Sequence, residues 1–303
     1  MSHIYVFSPS SAVRDRAAMR RGVARLRALG HEVEIDRDAL TSHMRFAGDD
    51  ATRLAAIHRA AASGADIALI TRGGYGLTRL LPAIRYKAVA KAIDKGLRFV
   101  GLSDFTAFQN ALMAQTGAVS WSGPALGEDF GVEGEPDEIM LACFDDLAGG
   151  AGEGTGWRLP ANEARERAFK VQGPLWGGNL SVLVSLVGTP WLPPAQGGIL
   201  FLEDVNEHPY RVERMLTQLL HAGILGRQKA ILLGGFTNYK PVPHDKGYKL
   251  QTVVDWLRAR VKAPVLTGLP FGHVATKVCL PVGQTVDLLV QGRDAMVLWG
   301  HAH

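Results

Sequence analysis

The sequence predicts an α/β protein: an N-terminal domain built on a parallel sheet, followed by a smaller mixed α/β C-terminal domain. Three observations predict it. Short runs rich in β-branched and aromatic residues alternate with amphipathic stretches through the first half of the chain. At 303 residues the chain is long enough for two domains or one large α/β unit. A glycine-rich break, Gly149-Gly-Ala-Gly-Glu-Gly-Thr-Gly156, and the charged run Glu163-Ala-Arg-Glu-Arg167 interrupt the pattern near the middle. The expected division is residues 1–147, a linker region at 148–167, and residues 168–303.

The elements follow in order. A strand is expected over 4–7, a charged helix near 12–29 and a second strand over 32–35. Asp49 and Asp50 offer N-cap chemistry for a helix near 50–62, where Leu54, Ile57 and Ala61 fall at helical spacing. Strands at 67–71 and 98–102 follow, and a helix from Phe105 to Met113. Beyond the break, strands are expected at 168–171, 199–203, 230–233 and 265–266, with helices near 179–187, 209–220 and 252–261. The helix after Pro209 is the clearest: proline suits the first helical position, and Val212, Met215, Leu216, Leu219 and Leu220 form an apolar face opposite Arg211, Glu213 and Arg214.

Composition narrows the function. Hydrophobic residues make up 47% and charged residues 20%, which is a globular balance rather than a disordered one. A net charge of +4, with the basic residues dispersed, argues against nucleic acid as a partner. No window reaches the roughly 18 consecutive apolar residues of a membrane span, and the N-terminus lacks a secretory pattern, so a cytoplasmic location away from the membrane is expected. Cys143 and Cys279 sit in apolar settings and read as buried free thiols.

Ser103 falls at the turn between the strand ending Phe99-Val-Gly-Leu102 and the helix that opens at Phe105, a nucleophile-elbow arrangement suited to acyl transfer. The first helix amides, including that of Asp104, would direct positive partial charge at a developing oxyanion. The pattern is incomplete, because Phe105 stands where Gly-x-Ser-x-Gly has its second glycine, and a serine there equally suits an N-cap. Thr71-Arg-Gly-Gly-Tyr-Gly76 follows another expected parallel strand, where bare glycine amides can line an oxyanion hole or simply form a tight turn. A nucleotide site is disfavoured, since neither Gly-x-Gly-x-x-Gly nor Gly-Lys-Ser/Thr follows.

A serine nucleophile needs a base. Of ten histidines, His3, His301 and His303 are near-terminal, and His31, His43, His58 and His221 lack glycine punctuation. His208, His244 and His273 remain; His273, in a loop directly after a strand, is favoured. The carboxylate that would orient it comes from Glu203, Asp204 or Glu207, and strand alternation points the first two to opposite faces. Glu207 also suits the start of the helix at Pro209.

Taken in order, Arg72-Gly-Gly-Tyr-Gly76, Arg79-Leu-Leu-Pro82, Gly101-Leu-Ser-Asp104, Gly177-Gly-Asn-Leu180, Leu202-Glu-Asp-Val-Asn-Glu207 and Gly272-His273 resemble the LD-carboxypeptidase family of serine peptidases across nearly the whole chain. The likeness is closest to its cytosolic muramoyltetrapeptide branch, through Gly188-Thr-Pro-Trp191 and His208-Pro-Tyr-Arg-Val-Glu-Arg-Met215. The resemblance implies Ser103 as nucleophile, Glu203 as triad acid and His273 as general base, with the site between the two domains. It implies an oxyanion hole from the amide of Asp104 and one in the Gly73-Gly74 turn, taken here as Gly74. It also implies a murein peptide as substrate, a possible homodimer, and neither a metal nor an organic cofactor. A peptidase of the same family acting on another amide, such as a peptide antibiotic, and a non-catalytic two-domain binding protein are the alternatives. Arg72, immediately before the glycine turn, is a candidate to bind the substrate's terminal carboxylate.

Overall fold

The computed structural model describes residues 1–163 and 165–300, the side chains of 165–167 excepted. Part of the charged run at 163–167, and both His301 and His303, lie outside the described residues. The first half runs β1 (His3–Phe7), α1 (Arg16–Ala28), β2 (Glu32–Ile35), α2 (Asp50–Ala62), β3 (Ile67–Ile70), α3 (Tyr86–Ile93), β4 (Arg98–Gly101), α4 (Phe105–Thr116), β5 (Ser120–Ser122) and α5 (Glu138–Gly149). The second half runs β6 (Gly154–Arg158), β7 (Arg165–Asn179), α6 (Leu180–Ser185), β8 (Ile199–Val205), α7 (Pro209–His221), β9 (Ala230–Thr237), α8 (Leu250–Arg258), β10 (Val265–Leu266), β11 (Leu280–Val282), β12 (Thr285–Gly292) and β13 (Asp294–Leu298).

The first sheet has the order β11-β5-β4-β3-β1-β2. Its first five strands in sequence are mutually parallel, and β11 closes the edge antiparallel. Both faces of its centre are covered, so β1 and β3 read as near-continuous apolar runs, whereas the edge strand β2 is largely exposed. Alternation divides them: Ile4, Val6, Ile67, Leu69 and Val100 face α1 and α5, while Tyr5, Phe7, Ala68, Ile70 and Phe99 face α2 and α4. Helix starts follow cap chemistry, with Asp15 accepting from the amides of Ala17 and Ala18, and Asp49 from that of Thr52. Asp15 explains why α1 begins four residues later than expected.

The second sheet has the order β10-β9-β8-β7-β12-β13-β6 and is parallel through β10, β9, β8 and β7 and antiparallel thereafter. Residues 148–167, expected to link the halves, hold its edge strand β6. One glycine of this stretch answers to close packing: a Cβ on Gly154 would lie 2.5 Å from Leu298 Cδ2. The strand expected at 168–171 runs instead from 165 to 179, pairing antiparallel with β12 and then parallel with β8.

The two sheets share one apolar core. Phe105, Phe108 and Leu112 of α4 belong to the same buried cluster as Leu175, Phe201, Leu266 and Phe271 from the second sheet. An interface this apolar fixes the relative placement of two lobes rather than leaving it free. The apolar stripe expected on α7 packs with α6 and α8 against the opposite face of the second sheet, through Val212, Leu216 and Leu219.

Candidate active site

In strand order 2-1-3-4-5, the chain reverses direction across the sheet between β1 and β3, and open α/β sheets bind ligands outside the carboxyl ends of their strands near such a point. The loops after β1, β3 and β4 meet here, carrying Ser10 and Ser11, Arg72 to Gly76, and Ser103. Ser103 adopts φ +65°, a left-handed conformation that costs a non-glycine residue about 1–2 kcal/mol. The N-cap of α4 falls on Asp104, and no side chain caps it, so Ser103 does not serve as the helix cap. Ser103 is half-buried, and its hydroxyl makes no hydrogen bond to any described residue.

The missing second glycine has a steric answer. Phe105 is fully buried and stacks on Phe108 at 4.8 Å, pointing away from the serine into the core. Clearance comes instead from Gly101, where a Cβ would lie 2.8 Å from Phe105 Cδ1, and from Gly73, where one would lie 2.6 Å from Ser103 Cβ.

The Asp104 side chain, whose role the sequence did not disclose, locks the loops together. Its buried Oδ2 accepts from Ser10 Oγ at 2.7 Å and from the Leu77 amide at 2.9 Å. Burial raises its pKa, against the lowering effect of those donors. Ser11 Oγ accepts from the Tyr75 amide at 3.1 Å and fills the space a Cβ on Gly74 would need, 2.1 Å away. Gly74 itself has φ +113°. The amides of Gly73, Gly74 and Asp104 donate to no acceptor among the described residues, leaving N–H groups beside Ser103 available to an oxyanion.

The acid and base candidates come from the second sheet. Glu203 lies fully buried in the second half of β8, and His273 Nδ1 lies 2.8 Å from Glu203 Oε2, with the His273 amide donating to the same oxygen at 3.2 Å. Gly272, at φ +120°, permits this approach: a Cβ there would lie 2.8 Å from Glu203 Oε2. Engaging Nδ1 with the carboxylate fixes the tautomer that leaves Nε2 as the acceptor. Burial alone would lower the His273 pKa, but the hydrogen bond and charge of Glu203, with a further contribution from Glu128, raise it overall. No hydrogen bond joins Ser103 to His273 among the described residues.

Asn179 ties this pair to the elbow helix, another role the sequence did not disclose. Its amide nitrogen Nδ2 donates to Glu203 Oε1 and to Asp204 Oδ1, each at 3.1 Å, and its backbone N–H donates to Thr106 Oγ1 of α4 at 2.9 Å. Asp204 is equally buried but turns to the start of α6, accepting from Ser181 N at 2.8 Å, and burial pushes its pKa up to about 6. Glu207 lies 3.9 Å from Arg211 one turn into α7, away from His273. Of the three carboxylates at this strand end, Glu203 alone meets the imidazole. His208 lies 3.1 Å from Asp245.

Arg72 flanks the glycine turn, 17% exposed, with its guanidinium 3.7 Å from Glu128 Oε1. A cleft of about 520 Å³ opens beside Gly74 and Asp104 and extends to Ser181, Val182 and Trp191, while a cavity of about 390 Å³ lies on the His273 side, bordered by Glu128 and Lys277.

Comparison with known proteins matches residues 4–123 to the LD-carboxypeptidase N-terminal domain and residues 172–288 to the LD-carboxypeptidase C-terminal domain. The chain belongs to the LD-carboxypeptidase family. It is therefore a carboxypeptidase. Among its family relatives, the probable murein peptide carboxypeptidase of Bacillus subtilis is 30% identical over 273 residues, covering 90% of this chain and 84% of that protein. The murein tetrapeptide carboxypeptidase of Pseudomonas aeruginosa is 30% identical over 296 residues, covering 94% and 92%. The crystal structure of muramoyltetrapeptide carboxypeptidase from Oxalobacter formigenes superposes with a TM-score of 0.87 at 40% identity, covering 98% of each chain. The microcin C7 self-immunity protein in its wild-type unliganded state, at 23% identity and a TM-score of 0.86 over 99% of this chain and 97% of that one, shares the fold. No helix among the described residues is long and apolar enough to cross a membrane.

Proposed function

We propose that this carboxypeptidase removes the terminal D-alanine from murein tetrapeptide, L-Ala-D-Glu-diamino acid-D-Ala, by serine acyl transfer in cytoplasmic recycling of cell-wall peptides. The observation that carries the mechanism is the 2.8 Å contact between His273 Nδ1 and the buried Glu203, which leaves Nε2 as a base. Ser103 Oγ attacks the carbonyl that links the L-centre of the diamino acid to D-alanine, and His273 Nε2 takes the hydroxyl proton. The oxyanion accepts hydrogen bonds from the amides of Asp104 and Gly74. Glu203 stabilises the imidazolium, which then passes its proton to the leaving D-alanine nitrogen. Water, activated by the same imidazole, releases tripeptide from Ser103.

Arg72 receives the terminal carboxylate of D-alanine, a task suited to a guanidinium beside the oxyanion turn. The murein relatives at 30% identity or more, aligned over most of their length, support the substrate class. Mass spectrometry of tetrapeptide incubated with the wild-type and Ser103→Ala proteins tests the reading. Loss of one alanine is expected with wild type alone. Equal loss with both proteins would remove Ser103 from the mechanism, and no loss with either would remove the substrate.

A further inference from the structure

Arg72 is poorly served by its surroundings. Although its side chain is only 17% exposed, its contacts are long: 3.5 Å from Nη1 to the Ala12 carbonyl and 3.7 Å from Nη2 to Glu128 Oε1. Elsewhere in the molecule an arginine with a matched carboxylate sits close, as Arg59 does to Asp36 at 2.7 Å. Burial without a close counter-ion lowers the Arg72 pKa, and its other charged neighbours, Arg14 and Arg45, are cations. The Nη1 atom would lie 3.4 Å from a Cβ on Gly74, so the guanidinium borders the oxyanion turn.

Glu128 reaches it from a fixed backbone. The Gly127 amide donates to the Thr71 carbonyl at 2.9 Å, and neighbouring Asp129 accepts from Ala125 N at 2.7 Å and pairs with buried Lys277 at 2.5 Å. The Glu128 side chain is 40% exposed, so it can leave Arg72 by rotating into solvent while its backbone stays in place. It borders both the pocket containing Arg14 and Arg72 and the cavity containing His273.

We propose that Glu128 is an internal stand-in for the substrate's C-terminal carboxylate, holding Arg72 loosely in the free enzyme and yielding it to the incoming peptide. A peptide carboxylate can make the close bidentate pair that Glu128 does not. Glu128 would thus set specificity through competition: only a ligand ending in a free carboxylate recovers what is lost when the internal pair opens. The inference rests on the assignment of Arg72 to the terminal carboxylate.

Kinetics on the alkaline plateau of the pH profile provide the test. Glu128→Gln should lower KM for the tetrapeptide about two- to fivefold, the scale of a partly exposed ion pair, with kcat within about twofold. It should leave the C-terminal amide of the same peptide unaffected, and the gain should vanish when Arg72→Gln is also present. An unchanged or raised KM would overturn the proposal, as would a gain that survives Arg72→Gln and so reflects general repulsion of anions. Titration of N-acetyl-D-alanine into Ser103→Ala protein, with and without Glu128→Gln, reads the same competition without turnover. Tighter binding with Glu128→Gln is expected, and equal or weaker binding overturns the stand-in role. If wild type does not cleave tetrapeptide, the murein assignment fails and the Glu128 proposal is decided by this titration.

Discussion

Gly73→Ala places a single methyl group against Ser103, the proposed nucleophile. The new Cβ would lie 2.6 Å from Ser103 Cβ and 2.7 Å from its Oγ, whereas an ordinary carbon contact needs at least about 3.5 Å, so about 1 Å must be found by moving one loop or the other. Gly73 does not have a positive φ, so alanine imposes no left-handed strain there. Overpacking on this scale costs about 1–3 kcal/mol of stability, whereas a displacement of about 1 Å at a reacting atom costs about 100-fold in rate. The expected variant folds, loses one modest increment of urea resistance, and hydrolyses tetrapeptide about 100-fold more slowly in a discontinuous mass-spectrometric assay. Because the clash is with Ser103 alone at short range, Ser103→Gly should relieve it, and the stability cost of Gly73→Ala in that background should drop below about 0.5 kcal/mol. A Gly73→Ala enzyme within threefold of wild type, or an equal stability cost in both backgrounds, would refute the close packing of elbow and glycine turn.

Four further outcomes follow from the carboxylates. With the His273 pKa raised by Glu203, the proposed base is protonated and idle on the acid side; Glu203→Gln should lower that pKa, move the acidic limb of kcat/KM to lower pH, and reduce the plateau by about 100-fold or more, measured as a pH–rate profile. The same raised pKa means the folded state favours protonated His273, so its contribution to stability is present below about pH 6.5 and is lost as pH rises through the folded value. Asn179→Ala removes a donor shared by two buried carboxylates and should cost about 1–3 kcal/mol in denaturant unfolding, with kcat falling more than KM rises. Asp204, raised from 3.8 to about 6, is stabilising while protonated and loses that contribution as pH climbs through about 6; Asp204→Asn should therefore gain on wild type by up to about 3 kcal/mol between pH 4 and pH 7 in urea titrations.

Much of the fold was legible because its central strands are buried on both faces and spell unbroken apolar runs, as Ile67–Ile70 does; β2, α2 and β10 appear with the expected bounds, and β1 begins one residue earlier, at His3. What escaped was written in residues whose reason is another segment. Gly154 and Gly156 read as a break because glycine has low strand propensity, yet β6 forms because Gly154 lets β13 approach. Strands β11 to β13 pair with partners more than a hundred residues upstream or through a hairpin, which local pattern does not announce. At the site, glycine spacing and strand ends singled out Ser103, Arg72 and His273 as candidates, but the choice among three carboxylates required the family resemblance. Asn179 and the Asp104 side chain resemble ordinary helix-start residues in sequence. Their second function, joining the two halves, depends on partners at Thr106, Glu203, Ser10 and Leu77 that only the folded chain brings near.

Strand β11 belongs by sequence to the second half but hydrogen-bonds to β5 in the first sheet, with Leu280 opposite Ser122 and Val282 opposite Ser120. The segment bearing His273 is therefore anchored in one sheet at β10 and in the other at β11, like a strap buckled at both ends. A fragment ending near residue 147 would lack that edge and expose the backbone N–H and C=O groups of β5 as a template for foreign strands. The N-terminal half is thus structurally incomplete by itself, because the chain must return to complete the sheet on which Ser103 stands.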